Sequence, residues 1–139
     1  MYLKCYAGDN AEFTINTLYA IDWSDRTNWS FIFTAKESLS DLDSAAKIQR
    51  THTNGITLFE GNALVNGETI PNGSLDHFLL KLVRLDTVGL LGKTLYCDIQ
   101  GYRAAAGGVP AKVTRFAYFR LRVDPAVTRQ TTTSITINS

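Results

Sequence analysis

The side chains able to do chemistry are few and scattered. His52 and His77 are the only imidazoles, each beside a turn signal, and neither has a companion at metal-ligand spacing. They are expected to be surface or turn histidines rather than ligands or general bases. Asp41-Leu42-Asp43 brings two carboxylates close enough for a divalent cation, but the glycine and distal glutamate of a calcium loop are missing. A turn with capping acids explains the same triplet. Asp22 and Asp98 would need a fixed separation to work as acid and base, and spacing along the chain does not provide one. GxSxG, P-loop and GxGxxG strings are absent. No catalytic residue, cofactor or metal site is expected, and the chain reads as non-enzymatic.

A second constellation points to binding. Arg115, Arg120 and Arg122 interleave with Phe116 and Tyr118. By strand parity Phe116, Tyr118, Arg120 and Arg122 share one face and Arg115 takes the other. Such a strand can stack bases and neutralise phosphates. The net charge is only +1, however, and no oligonucleotide-barrel or RNA-recognition signature accompanies it. Arginine and tyrosine are equally the residues of protein interfaces, and that is the expected role, with no nucleic acid. Trp23 and Trp29 suggest a sugar platform, but Trp29 opens an apolar run and is expected in the core.

Charge is uneven along the chain. Residues 1–75 carry five Lys and Arg against nine acids, while residues 76–139 carry nine against four. That asymmetry either favours head-to-tail contacts between copies or marks two solvated faces of opposite bias. No apolar run approaches the roughly 18 residues of a membrane span. The opening Met1-Tyr2-Leu3-Lys4-Cys5-Tyr6 lacks a basic region followed by an apolar stretch, so a cytosolic product is expected. Cys5 and Cys97 fit no metal spacing and are expected as buried, reduced thiols.

The elements that hold these residues read as strands. The chain is 139 residues long and 45% hydrophobic, enough for one domain with a core. Alternation recurs at Phe13-Ile15-Thr17, at Ala46-Ile48-Arg50 and through Leu95-Cys97-Ile99, and Trp29 to Thr34 is a nearly continuous apolar run. The longest alternation sets Val113, Ala117, Phe119, Leu121 and Val123 against Thr114, Phe116, Tyr118, Arg120 and Arg122. Turns fall at Asp25-Arg26, Asn54-Gly55, Asn66-Gly67, Pro71-Asn72-Gly73 and Gly107-Gly108. Leu75 to Val83 fits both periods and is assigned to a strand, because β-rich neighbours need partners. The expectation is an all-β, two-sheet antiparallel sandwich. Its core would draw on Trp29, Phe31, Phe33, Leu95, Cys97, Ile99, Phe119 and Leu121. A strand-rich lead-in (1–21) precedes the sandwich (22–129), and an extended arm (130–139) follows it. The arm, with Arg129 at its base and Ile135 and Ile137 along it, either completes its own sheet or adds to a neighbour's open edge, and these three residues are expected at such a contact.

Several strings carry a resemblance when taken together. Phe33-Thr34-Ala35-Lys36-Glu37-Ser38-Leu39-Ser40-Asp41-Leu42-Asp43 is followed by Ile48-Gln49-Arg50-Thr51, Gly55-Ile56-Thr57-Leu58 and Leu85-Asp86-Thr87. Leu95-Tyr96-Cys97-Asp98-Ile99-Gln100 and Asp124-Pro125-Ala126-Val127-Thr128-Arg129 complete the series. Over about residues 29–129 the chain resembles small structural proteins of tailed phages, related to the immunoglobulin-like N-terminal domain of upper-baseplate proteins. The lead-in, a wider Glu60-to-Ser74 insertion and the Thr-rich tail depart from that pattern.

The resemblance implies an immunoglobulin-like building block of a virion assembled in the host cytoplasm. A domain with terminal arms suits capsid decoration, with the major capsid protein and copies of itself as partners. A tail or baseplate component is the alternative in that class, and a carbohydrate-binding module the alternative outside it. No membrane partner is expected.

Overall fold

The computed structural model describes the backbone of residues 2–19, 21–65 and 68–125, and their side chains except over 60–72. Eight strands run in chain order: β1 (Tyr2–Tyr6), β2 (Ala11–Asn16), β3 (Trp29–Lys36), β4 (Ile48–Thr51), β5 (Ile56–Val65), β6 (Glu68–Leu82), β7 (Thr94–Arg103) and β8 (Lys112–Asp124). They form a five-stranded sheet ordered β1-β8-β7-β3-β4 and a three-stranded sheet ordered β2-β6-β5. This is the expected all-β sandwich, with the three-stranded sheet packed against a five-stranded sheet centred on β7. Every pairing is antiparallel except that of β1 with β8, where Tyr2 lies beside Arg120 and Tyr6 beside Asp124.

Alternation decides which side chains meet between the sheets. Phe31, Phe33 and Ala35 of β3, with Leu95, Cys97 and Ile99 of β7, turn inward and are buried. Ile15, Leu75, Phe78, Leu80 and Leu82 face them from the other sheet. All eight expected core residues are buried. The segment over 75–83 is strand as far as Leu82, paired on both sides by β2 and β5. A one-turn helix α1 (Arg84–Thr87), which sequence periodicity did not signal, follows it. Asp86 pins that turn by accepting the Val83 N–H at 2.7 Å and pairing with Arg50 of β4.

Two expectations change. The lead-in is not a separate segment: β1 completes the larger sheet and β2 the smaller, so both of its strands belong to the sandwich. Pairing of β7 with β8 slips between Ile99 and Gln100, so Ile99 faces Ala117, Gln100 faces Arg115, and Phe116 is an extra residue. A bulge of this kind reverses parity along one strand. Phe116 and Ala117 therefore both point inward, Val113 points outward at 66% exposure, and Arg115 joins the outer face with Tyr118. Phe116 is a core residue, not an interface residue. Its ring meets Trp29 and Phe31 edge-on at 5.2 and 5.0 Å, and its carbonyl accepts the Leu18 N–H at 2.7 Å. Arg129, Ile135, Ile137 and the arm over 130–139 lie outside the described residues.

Candidate protein-docking face

The outer face of the five-stranded sheet collects the side chains that alternation turns away from the core. Register sets them in rows across the strands. Tyr2, Arg120, Tyr96 and Lys36 form one row, Tyr118, Asp98, Thr34 and Gln49 the next, then Arg115, Gln100 and Ile32, and finally Val113, Tyr102 and Ser30. Ile32, Tyr102, Val113 and Tyr118 are between 44% and 66% exposed although each is large and apolar in body. The twisted surface encloses a groove of about 590 Å³, bordered on one side by Leu39 and Asp43 of the loop after β3.

The β1–β8 flank of this face is an arginine–tyrosine stripe. Arg120 donates to the Tyr2 hydroxyl at 2.7 Å, and its guanidinium lies 5.6 Å from the Tyr2 ring and 5.0 Å from that of Tyr96. Arg115 lies 5.6 Å from the Tyr118 ring, and Lys4 is 5.7 Å from that of Tyr6. Cations over ring faces are attracted by the ring quadrupole, which holds these long side chains flat against the sheet. Asp124 pairs with Arg122 at 2.6 Å and with Lys4 at 3.8 Å. Arg115, Tyr118, Arg120 and Arg122 thus share one surface, to which β1 adds Tyr2, Lys4 and Tyr6. Sequence reasoning missed the β1 residues because nothing local announces a parallel partner.

Asp98 sits in the floor of the groove. Burial pushes its carboxyl above the ordinary range, while Arg115 at 3.7 Å and the Gln100 amide at 3.3 Å pull it back. Asp22 is no acid–base partner for it, since Asp22 bridges Ser74 beside the other sheet, whereas Asp43 lines the same groove and adds to the upward push. Asp41 accepts the Ser38 N–H at 3.1 Å and Asp43 pairs with Lys36 at 2.6 Å, so both acids of that triplet serve the turn. Among the described residues no group of three His, Cys, Asp or Glu could hold a metal ion.

The remaining candidates are structural. His52 Nδ1 accepts the Phe31 N–H at 3.2 Å and extends the sheet past β4. His77 stacks on Phe59 at 4.9 Å and contacts Asp76 at 2.8 Å, on the outside of the smaller sheet. Trp23 is half-buried beneath the Arg26 guanidinium, 4.2 Å from the ring centre, and presents no open platform there. Cys5 and Cys97 are buried free thiols, pushed up chiefly by burial to about 11 and about 12 respectively. No helix among the described residues is long and apolar enough to cross a membrane. No protein-family model, characterised protein or solved structure matches this chain.

Proposed function

We propose that this chain is a non-enzymatic structural protein of a bacteriophage virion, of the capsid-decoration type, and that it docks on protein neighbours through the outer face of its five-stranded sheet. The observation that carries the docking role is the cluster of Ile32, Tyr102, Val113 and Tyr118, large side chains left open beside a stripe of arginines and tyrosines. A sheet face meant only for water would be polar, and this composition is that of an interface centre with a charged rim. The virion setting rests on the resemblance of residues 29–129 to small phage structural proteins. The major capsid protein and further copies of the chain are the partners this reading names.

The test is co-sedimentation of the purified chain with phage capsid shells that lack it. Stoichiometric binding that Tyr118→Glu abolishes supports the proposal. Binding to tails and not to shells moves the chain to the tail or baseplate alternative. The tyrosines, Asp98 and Gln100 around the groove also have the chemistry of a sugar site, so a glycan array is the second assay. Tight glycan binding lost with the same substitution, and no binding to particles, overturns the proposal in favour of a carbohydrate-binding module.

A further inference from the structure

We propose that the outer face of the five-stranded sheet closes on the same face of a second copy of this chain, the loop over 37–43 of each copy seating on the arginine–tyrosine stripe of the other. This names the occupant of the docking face and rests on reading that face as a protein-binding surface.

The two flanks of the face have opposite character. On the β1–β8 flank, Lys4, Arg120 and Arg122 point outward among Tyr2, Tyr6 and Tyr96, with Asp124 as the carboxylate paired among them. On the opposite flank the loop after β3 exposes Leu39 at 70% and, between Asp41 and Asp43, Leu42 at 74%. The Asp43 side chain is 84% exposed even while it touches Lys36. Two strand spacings, about 10 Å, separate β8 from β3, so the flanks of one molecule cannot reach each other as an ion pair. Within a single chain the loop and the stripe pair with their own neighbours, Asp43 with Lys36 and Asp124 with Lys4 and Arg122.

Geometry makes the pairing reciprocal. Tyr2, Arg120, Tyr96 and Lys36 lie in one continuous row across four strands, so the stripe and the base of the loop sit at the same height along the sheet. A two-fold axis parallel to the strands, midway between two facing copies, exchanges the flanks and preserves that height. Each acidic, leucine-bearing loop then meets a basic, aromatic stripe, twice per pair, as a self-complementary two-fold contact requires. Tyr118, Ile32, Tyr102 and Val113 lie in the successive rows further along the strands from the two loop contacts and continue the contact as its apolar part. The same charge pattern disfavours a copy rotated by half a turn in the plane of the sheet, because the loops would then miss the stripes.

The experiment uses two charge-reversed variants of the full chain and sedimentation equilibrium. One carries Leu39→Lys with Asp43→Lys, the other Arg120→Glu with Arg122→Glu. Wild-type protein is expected to dimerise, more weakly as salt is raised. Each variant alone is expected to dimerise about tenfold less tightly or worse, with an unchanged circular dichroism spectrum. An equimolar mixture is expected to regain the dimer, since one contact then joins lysine to glutamate and the other keeps the wild-type pairing of loop and stripe. Should either pair of changes prevent folding, Tyr118→Glu at the centre of the face supplies the same loss of dimer. A wild-type chain that stays monomeric at about 1 mM, roughly a −4 kcal/mol limit, overturns the proposal. A mixture of folded variants that remains monomeric, or species that grow beyond dimers, does so too. Particle binding is measured separately, so a monomer that still decorates shells leaves the proposed function standing. A dimer that binds no particle overturns that function alone.

Discussion

Replacing Gly101 with alanine probes the bulge that reorders β8. Gly101 faces inward on β7, and a Cβ there would lie 2.3 Å from Cε2 and 2.9 Å from Cδ2 of Phe116, and 2.9 Å from Cε3 of Trp29. Carbon atoms pack best at about 3.5–4.0 Å, so the Phe116 ring would have to move by more than an ångström. Overpacking of this kind costs about 1–3 kcal/mol. The glycine holds an ordinary backbone conformation, so the substitution also gains about 0.4–1 kcal/mol by restricting the unfolded chain. A net loss of about 1–2 kcal/mol is expected. The control is Phe116→Val, which shortens the ring's reach and itself costs about 2–3 kcal/mol. With valine at 116 most of the clash disappears, and Gly101→Ala is expected to be at least 1 kcal/mol less costly than in the wild type. Urea unfolding of the four chains gives this coupling directly. Additive costs, within about 0.5 kcal/mol, would refute the packing of Phe116 against Gly101 and with it the bulge.

Other consequences concern charge and core. Asp25 accepts from Arg103, Asn28 and the Trp29 indole, and these bonds lower its carboxyl to about 2. Asp25→Ala is expected to cost about 2–3 kcal/mol near neutrality. That cost should shrink as pH falls from about 4, the unfolded value, through 2, where the wild-type carboxylate is itself protonated; a pH-independent cost in thermal melts would contradict it. Asp98 shifts in the opposite direction, so its ionisation opposes folding above its raised value. Asp98→Asn is therefore expected to stabilise the fold near pH 7, with the gain lost below about pH 4; a loss at neutrality would show that the Arg115 pair outweighs burial. Phe119 is 1% exposed and stacks on Phe33, so Phe119→Ala should cost about 3–5 kcal/mol in urea unfolding.

Much of the sandwich is legible locally. Trp29, Phe31 and Phe33, and Leu95, Cys97 and Ile99, alternate without interruption, and each strand buries the face its pattern indicates. Segments that depend on distant partners are less legible. Parity counted back from Val123 is correct as far as Ala117 and fails beyond it, because the bulge inserts Phe116 and no turn residue or glycine in β8 marks the insertion. That miscount put Phe116 on the surface and Arg115 on the wrong face. The stripe itself was half visible: Tyr118, Arg120 and Arg122 follow from one strand, whereas Tyr2 and Lys4 join them only through a parallel pairing more than a hundred residues away. His52 and His77 give no chemical signal in either view, since ladder extension and stacking on Phe59 account for them.

An electron cryo-microscopy reconstruction of phage particles carrying this chain would show directly whether the outer face of the five-stranded sheet is a docking surface. The sandwich is expected to be bound in repeated copies on the particle, with Ile32, Tyr102, Val113 and Tyr118 buried against another polypeptide. A particle without the chain, or a bound chain whose outer five-stranded face stands open to solvent, would contradict it.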